Sequence, residues 1–531
     1  MHKYLFFLLS SLIFLSCQDQ KQLVDPQTVF RYNEHANVTS LDPAFAKDQR
    51  NIWVCNLLYN GLVKLDEDLE VVADLASHWK IDTTATIYTF FIQKDIYFND
   101  AFAKARTITA QDFKFSLERL SNPELASPGA WVMSNVEHIK AIAPLQLEIT
   151  LKQAFPAFLG LLSMKYCSVV PYGSSHLREQ PIGTGPFYLK RWQENVKMVL
   201  RKNNLYFEKD LEGKSLPYLE AVAITFKTDK QSEFLEFAQG NLDFINAIDP
   251  SYKDELLTTA GELQEKYKAT VHLEKAPFLN TEYLGIKIDH KTPELQSKKL
   301  RQAMNLGFDR DKMIKYLRNN IGTPAHNGFI PMGIPAGGVV KGYSYDPDRA
   351  RSLVAAYKEK TGQQNPSITI STGANYLDLC EFIQKELQNI GIQVQIEVMT
   401  PSSLRQARKS GQLGVFRSSW IADYPDAENY LSLFYSKNFA PNGPNYTHFK
   451  NPTYDLFYEE SLKTGAAKKR KELYIKMDSM VMEEAPIIPL YYDQSVRFIS
   501  KQVINLKGDA INMLDLTRVK KNDSRDYLNQ N

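Results

Sequence analysis

The chain has 531 residues, 63 Lys and Arg against 61 Asp and Glu, and 44% hydrophobic residues. That composition excludes wholesale disorder and a multi-span membrane protein, and a net charge of +2 supplies no global field for nucleic acid. The length predicts roughly two to four domains, and 28 Tyr with 29 Phe predict large apolar cores or ligand clefts.

The N-terminus reads as an address. Lys3 gives a short basic start, Tyr4 to Leu15 is almost unbroken apolar sequence, and Ser16 is small. This is the order of a secretory signal peptide over residues 1–16. The apolar run is shorter than the roughly 20 residues a spanning helix needs. Phe14-Leu15-Ser16-Cys17 resembles a bacterial lipobox, with Phe14 where Leu is usual. That resemblance implies lipidation at Cys17 and a firm membrane anchor outside the cytoplasm; the competing reading is a plain secreted protein cut nearby. Residues 17–26 then read as the lipidated cysteine and a polar tether. No later run is apolar enough to span a membrane. Cys55, Cys167 and Cys380 each sit in apolar sequence and are expected to be buried thiols, although an oxidising compartment would permit one disulfide.

Further along, both structural periods alternate. Thr86 to Ile92 is a β-rich run. Thr109 to Leu120 predicts a helix with Ala110, Phe113, Leu117 and Leu120 on one face and Thr109 with Asp112 as a capping box. Leu145 to Leu151 alternates as a strand. Leu300, Ala303, Met304, Gly307 and Phe308 have the spacing of an amphipathic helix, and Asp309 can cap a second helix carrying Met313, Ile314 and Leu317. Ser367 to Ser371 predicts a strand. A helix with Leu379, Phe382, Ile383, Leu387 and Ile390 follows and ends at Gly391. Ile392, Val394, Ile396 and Val398 then alternate with polar residues. Strand, helix and strand in this order predict a βαβ unit and a partly parallel sheet, hence a mixed α/β fold. The tail from Lys520 is polar and is expected to fray.

Motifs of common chemistry are missing. There is no HExxH, no GxxxxGK[ST], no GxGxxG and no GxSxG. Asp309-Arg310-Asp311 lacks the glycine and distal glutamate of a calcium loop. The expectation is no catalytic residue, no resident metal and no cofactor.

Eight blocks follow one another: Ser40-Leu41-Asp42-Pro43; Asn56 to Leu62, NLLYNGL; Asp74 to Trp79, DLASHW; Thr109 to Phe113, TAQDF; Gly183 to Phe187, GTGPF; Leu300 to Met304 with Phe308-Asp309-Arg310; Trp420 to Leu431, WIADYPDAENYL; and Ala485 to Tyr492, APIIPLYY. In this order they resemble the extracytoplasmic solute-binding proteins of peptide ABC transporters, solute-binding protein family 5. The resemblance implies a two-lobed periplasmic-binding-protein-like α/β fold with mixed sheets and an interlobe hinge near residues 278 and 487. It also implies an extra domain inserted in the first lobe. Carried onto this chain, lobe I is 27–60 with 181–278 and 488–520, the inserted domain II is 61–180, lobe III is 279–487, and 521–531 is a polar tail.

The same resemblance implies capture of short peptides in the cleft and delivery to an ABC transporter permease. The partners are then peptide, permease and the membrane through the N-terminal lipid, with no nucleic acid and a monomeric chain. Asp423 matches the family aspartate that holds a peptide α-ammonium, with Trp420 and Tyr424 desolvating it and Ile421 beside it; an ordinary turn aspartate is the plain alternative. Asp426 and Glu428 read as turn and solvent residues. Arg417 and Arg408 match arginines that meet peptide C-termini, where the guanidinium fork suits a carboxylate. Tyr283 is a candidate for the wall of lobe III. Lys47 stands in the cleft loop 44–48, at a position that is acidic in some peptide binders. The same fold also carries oligosaccharides and metal complexes. A secreted α/β hydrolase and a sensory lipoprotein without a transporter are the readings from other classes.

Overall fold

The computed structural model describes residues 28–99, 101–246, 249 and 252–522. The expected signal peptide, Cys17, the tether and residues 523–531 lie outside the described residues.

Two long strands join the halves of the molecule. Val271–Ile286 and Ile487–Ser500 pair antiparallel, and their register shifts between Pro277 and Thr281. Proline has no N–H for the ladder, so a break at this point is where such a pair can bend. Around them runs an eleven-stranded mixed sheet. On one side of the pair it continues through Phe244–Asn246, Val29–Asn33, Ala221–Thr225, Lys197–Lys202 and Phe187–Gln193. On the other it continues through Val415–Ile421, Ser367–Gly373 and Gln393–Met399. This is a two-lobed α/β architecture in which one sheet spans both lobes.

The predicted βαβ unit is present. Ser367–Gly373 and Gln393–Met399 pair in parallel with Ile368 opposite Val394. The helix Leu377–Asn389 between them buries Leu379, Ile383 and Leu387, and Gly391 turns the chain at φ +90°, which glycine adopts without a side-chain clash. Val398 departs from the expected alternation and is exposed. Helices Lys298–Leu306 and Arg310–Leu317 also form as read, with Asp309 accepting from the Lys312 N–H at 3.0 Å.

A separate four-stranded antiparallel sheet, Ala76–Ile81, Ile87–Ile92, Gln146–Leu151 and Val136–Ala143, is built from the segment between the first lobe strands. Helix Ala110–Glu118 covers it and buries Phe113 and Leu117. Asp112 accepts from the Thr109 N–H at 2.8 Å, the reciprocal half of a capping box.

Several family-like blocks prove to be joints. Thr184 donates to Asn60, and Asn60 and the Gly61 N–H both donate to Asp74 at 3.0 Å, so three distant blocks meet in one buried network. Gly183 and Gly185 lie against the end of helix Gln49–Leu58; a Cβ on Gly183 would stand 2.1 Å from the Leu58 carbonyl oxygen. Arg310, fully buried, donates to the carbonyls of Pro489 and Asn305 and fixes the start of the second long strand.

The polar tail needs one correction. Lys520–Lys521 pairs with Val503–Ile504, and the buried Lys521 ammonium meets Asp243 at 2.7 Å. A buried ion pair with a carbonyl partner, Val29 at 3.0 Å, ties down a segment that polarity alone marks as frayed. Cys55, Cys167 and Cys380 are free and buried. Among the described residues, no helix is long and apolar enough to cross a membrane, and no group of three or more His, Cys, Asp and Glu is placed to hold a metal ion.

Candidate functional site

A cavity of about 660 Å³ lies where three parts of the chain converge. The loop and helix start at Ala46 to Gln49 supply one wall, Met164 to Tyr166 of the inserted unit another, and Ile421 to Asp423 with Arg318 and Tyr376 the third. Strand Val415–Ile421 pairs with Val271–Ile286, and this places its C-terminal end at the cavity. The Ala422 N–H donates to the Leu279 carbonyl at 2.9 Å, and the Tyr430 hydroxyl donates to the same oxygen at 2.6 Å. The turn after the strand is therefore clamped to the region where the two lobes join.

Asp423 is presented by this turn. Its side chain is open to the cavity, yet protein surrounds it closely enough that burial pushes its carboxyl above the usual range, with the Asn429 amide opposing that rise. Asn429 donates to it at 3.3 Å, and among the described residues no cation pairs with it. Such a carboxylate is a receptor for a cation brought by a ligand.

Ile421 is exposed on the same wall. Trp420 stands one layer behind, half-buried, with its indole N–H donating to Asn429 at 2.8 Å. Tyr424 is placed differently from its expected contact role. It is buried against the inserted unit, with Gly160 beneath its ring, and its hydroxyl donates to Glu428.

Arg417 lies behind the wall. It pairs with the buried Glu282 and lies 3.3 Å over the centroid of Tyr376, which itself faces the cavity. Arg408 donates to Ser418 at 2.7 Å and stacks over Tyr446. Tyr283 is 2% exposed and packs edge-on against Phe329 in the core. In this structure Trp420, Tyr424, Arg417, Arg408 and Tyr283 therefore support or adjoin the wall, and only Asp423 and Ile421 of the expected contacts form it.

Asp426 and Glu428 are corrected outright. Both are buried. Asp426 accepts from the Tyr474 hydroxyl at 2.7 Å and from the Glu428 N–H at 2.9 Å. Glu428 accepts from Tyr424 and Tyr458, and burial pushes its carboxyl up to about 7. Turn chemistry explains the local residue types, and Tyr424 is a near neighbour, but the Tyr458 and Tyr474 hydroxyls that complete the enclosure come from helices distant in sequence.

Sequence reasoning missed Arg318, Asp493 and Lys165 as cavity residues. Arg318 and Asp493 pair at 3.3 Å on the cavity wall. Arg318 lies just beyond a recognised helix, and Asp493 follows the APIIPLYY block by one residue; neither position carries a local signal. Lys47, marked by its unusual charge, does line the cavity and is exposed.

The profile of bacterial extracellular solute-binding proteins, family 5, middle region, matches residues 70–442. The chain belongs to this family. Family 5 proteins are extracytoplasmic solute carriers of ABC transporters, so this chain is a binding protein and not an enzyme. The glutathione-binding protein GsiB of Salmonella paratyphi A is 26% identical over 488 residues, 89% of this chain and 90% of that protein. Its counterpart from Escherichia coli O157:H7 is 27% identical over 488 residues, with the same two coverages. Among solved structures, the periplasmic binding protein DppA of Helicobacter pylori, in complex with the peptide STSA, is similar with a TM-score of 0.75 and 25% identity. That likeness covers 93% of this chain and 98% of that one. CtaP of Listeria monocytogenes has a TM-score of 0.80 at 21% identity over 93% of this chain and 99% of its own, a likeness of fold.

Proposed function

We propose that this family 5 protein captures short peptides in the interlobe cleft and delivers them to an ABC transporter permease. The observation that carries this reading is Asp423: a carboxylate open to the cavity with protein closely around it, held by a neutral amide and, among the described residues, paired with no cation. A peptide α-ammonium supplies the missing charge, and enclosure makes that pair strong. The cavity volume falls within the usual range for small-ligand sites. The names of similar proteins point the same way, one a glutathione-binding protein and another in complex with the peptide STSA. Arg318, on the same wall and paired with Asp493, is the candidate for a peptide carboxylate. The leader and Cys17 would place the protein on the outer side of a bacterial membrane through its lipid, and the three-part division of the chain into lobes I and III with inserted domain II belongs to the same proposal.

The test is direct. Residues 18–531 are purified without refolding and denatured, and the small molecules released are identified by mass spectrometry. Short peptides are the expected result. A sugar or a metal complex would retain the carrier role and overturn the peptide assignment and with it the role of Asp423.

A further inference from the structure

The cleft adjoins a second chamber of about 460 Å³ between the first lobe and the inserted unit. Leu65, Ser163, Lys165, Ile511 and Met513 line both, so Lys165 stands between them.

Charge pairing around the two cavities is uneven. In the chamber, Lys64 reaches Glu208 at 2.6 Å, Arg518 reaches the same carboxylate at 3.1 Å, and Lys507 reaches Glu67 at 2.8 Å. Asp66, Asp509 and Asp515 turn their oxygens to backbone N–H groups of their own loops. Asp74 is occupied by Asn60 and Gly61. On the cleft side, Asp48 caps its helix and reaches Arg50 at 3.5 Å, and Arg318 pairs with Asp493. Among the described cleft-lining residues this leaves Asp423, Lys47 and Lys165 with no charged partner in contact, one anion against two cations. Lys47 is exposed on the lip, where solvent and salt screen it. Lys165 is half-buried; Asp74 and Asp515 favour its charge from a distance, and neither touches it.

We propose that Lys165 binds a carboxylate carried on the ligand, so that the site selects short peptides bearing an acidic side chain or an equivalent second carboxylate. The proposal rests on the peptide reading and assigns to it a substrate class: one ammonium for Asp423, one carboxylate at the peptide end, and one more for Lys165. Burial lowers the Lys165 ammonium from its ordinary range, a cost that a ligand carboxylate in contact would offset.

Isothermal titration with tripeptides that differ only as Glu or Gln, tried at each position, tests it. At one position the wild-type protein should bind the Glu peptide roughly tenfold or more tightly, the size expected of a charge-assisted hydrogen bond. Lys165→Met should abolish that preference and Lys165→Arg should keep it. The Arg variant retains the test if the Met variant fails to fold. Equal binding of Glu and Gln peptides, a preference surviving Lys165→Met, or one lost only in Lys47→Met would each overturn the assignment while the peptide reading stands. Binding of no peptide at all would overturn the peptide reading, and this assignment with it.

Discussion

Asn429 donates to the Asp423 carboxylate at 3.3 Å while its own carbonyl oxygen accepts from the Asp423 N–H at 3.3 Å and the Trp420 indole at 2.8 Å. Two N–H donors on one side fix which way the amide points, so the donating end must face Asp423. One neutral, buried side chain thus orients the candidate ammonium receptor without neutralising it. Asn429→Ala should weaken peptide binding by about 1–3 kcal/mol, measured by titration calorimetry. Unchanged affinity in a folded variant would show that Asp423 needs no such positioning.

Asp423→Ala should cost more, roughly 3–5 kcal/mol, because it leaves the ligand ammonium enclosed and unpaired. The carboxyl sits above its ordinary range through burial. Only the ionised form attracts an ammonium, so affinity should fall as pH drops through that raised value. The Asp423→Asn protein should show a flat profile over the same range. A wild-type profile equally flat would remove Asp423 from the site.

Glu428 sets part of the pH dependence of stability. Its carboxyl titrates near 7 in the folded protein against an ordinary value of 4.5. Below 4.5 both states are protonated and the folded state carries no penalty. As pH rises from there to about 7 the unfolded chain ionises first, so stability declines; above that value the loss levels off. Asp478, raised to about 7, and Glu34, raised to about 8, act with the same sign. Glu428→Gln should flatten the decline of the melting temperature across this interval. An unaltered slope would mean that other groups carry it.

Gly183→Ala should destabilise the ligand-free protein by about 1–3 kcal/mol through overpacking. The added Cβ would meet backbone, the Leu58 carbonyl, and backbone cannot move aside as a side-chain tip can. Denaturant unfolding measures this, and a neutral result would require helix Gln49–Leu58 to shift.

The register shift at Pro277 to Thr281 in the long strand pair lies between the lobes. With walls from both lobes, peptide should favour a closed arrangement. Small-angle scattering should show a smaller radius of gyration with peptide present. No compaction at saturating peptide would argue for a rigid cleft.

Periodicity along the chain was enough to place the βαβ unit at 367–399, the paired helices around Asp309 and the capped helix at Thr109. Each depends on residues within a few turns of one another. Block order was enough for the family and the two-lobed fold. What contiguity could not reach was partnership. Glu428 looks like a solvent residue until Tyr424 and Tyr458 enclose it. Lys521 looks frayed until Asp243 meets it from 278 residues away. Arg417 looks like a ligand arginine until Glu282 pairs with it from the neighbouring strand. A charge acquires its role from what neutralises it, and the sequence alone could name the charged residues. The tertiary structure decided which were already paired and which, Asp423 and Lys165 among them, line the cleft with no charged partner in contact among the described residues.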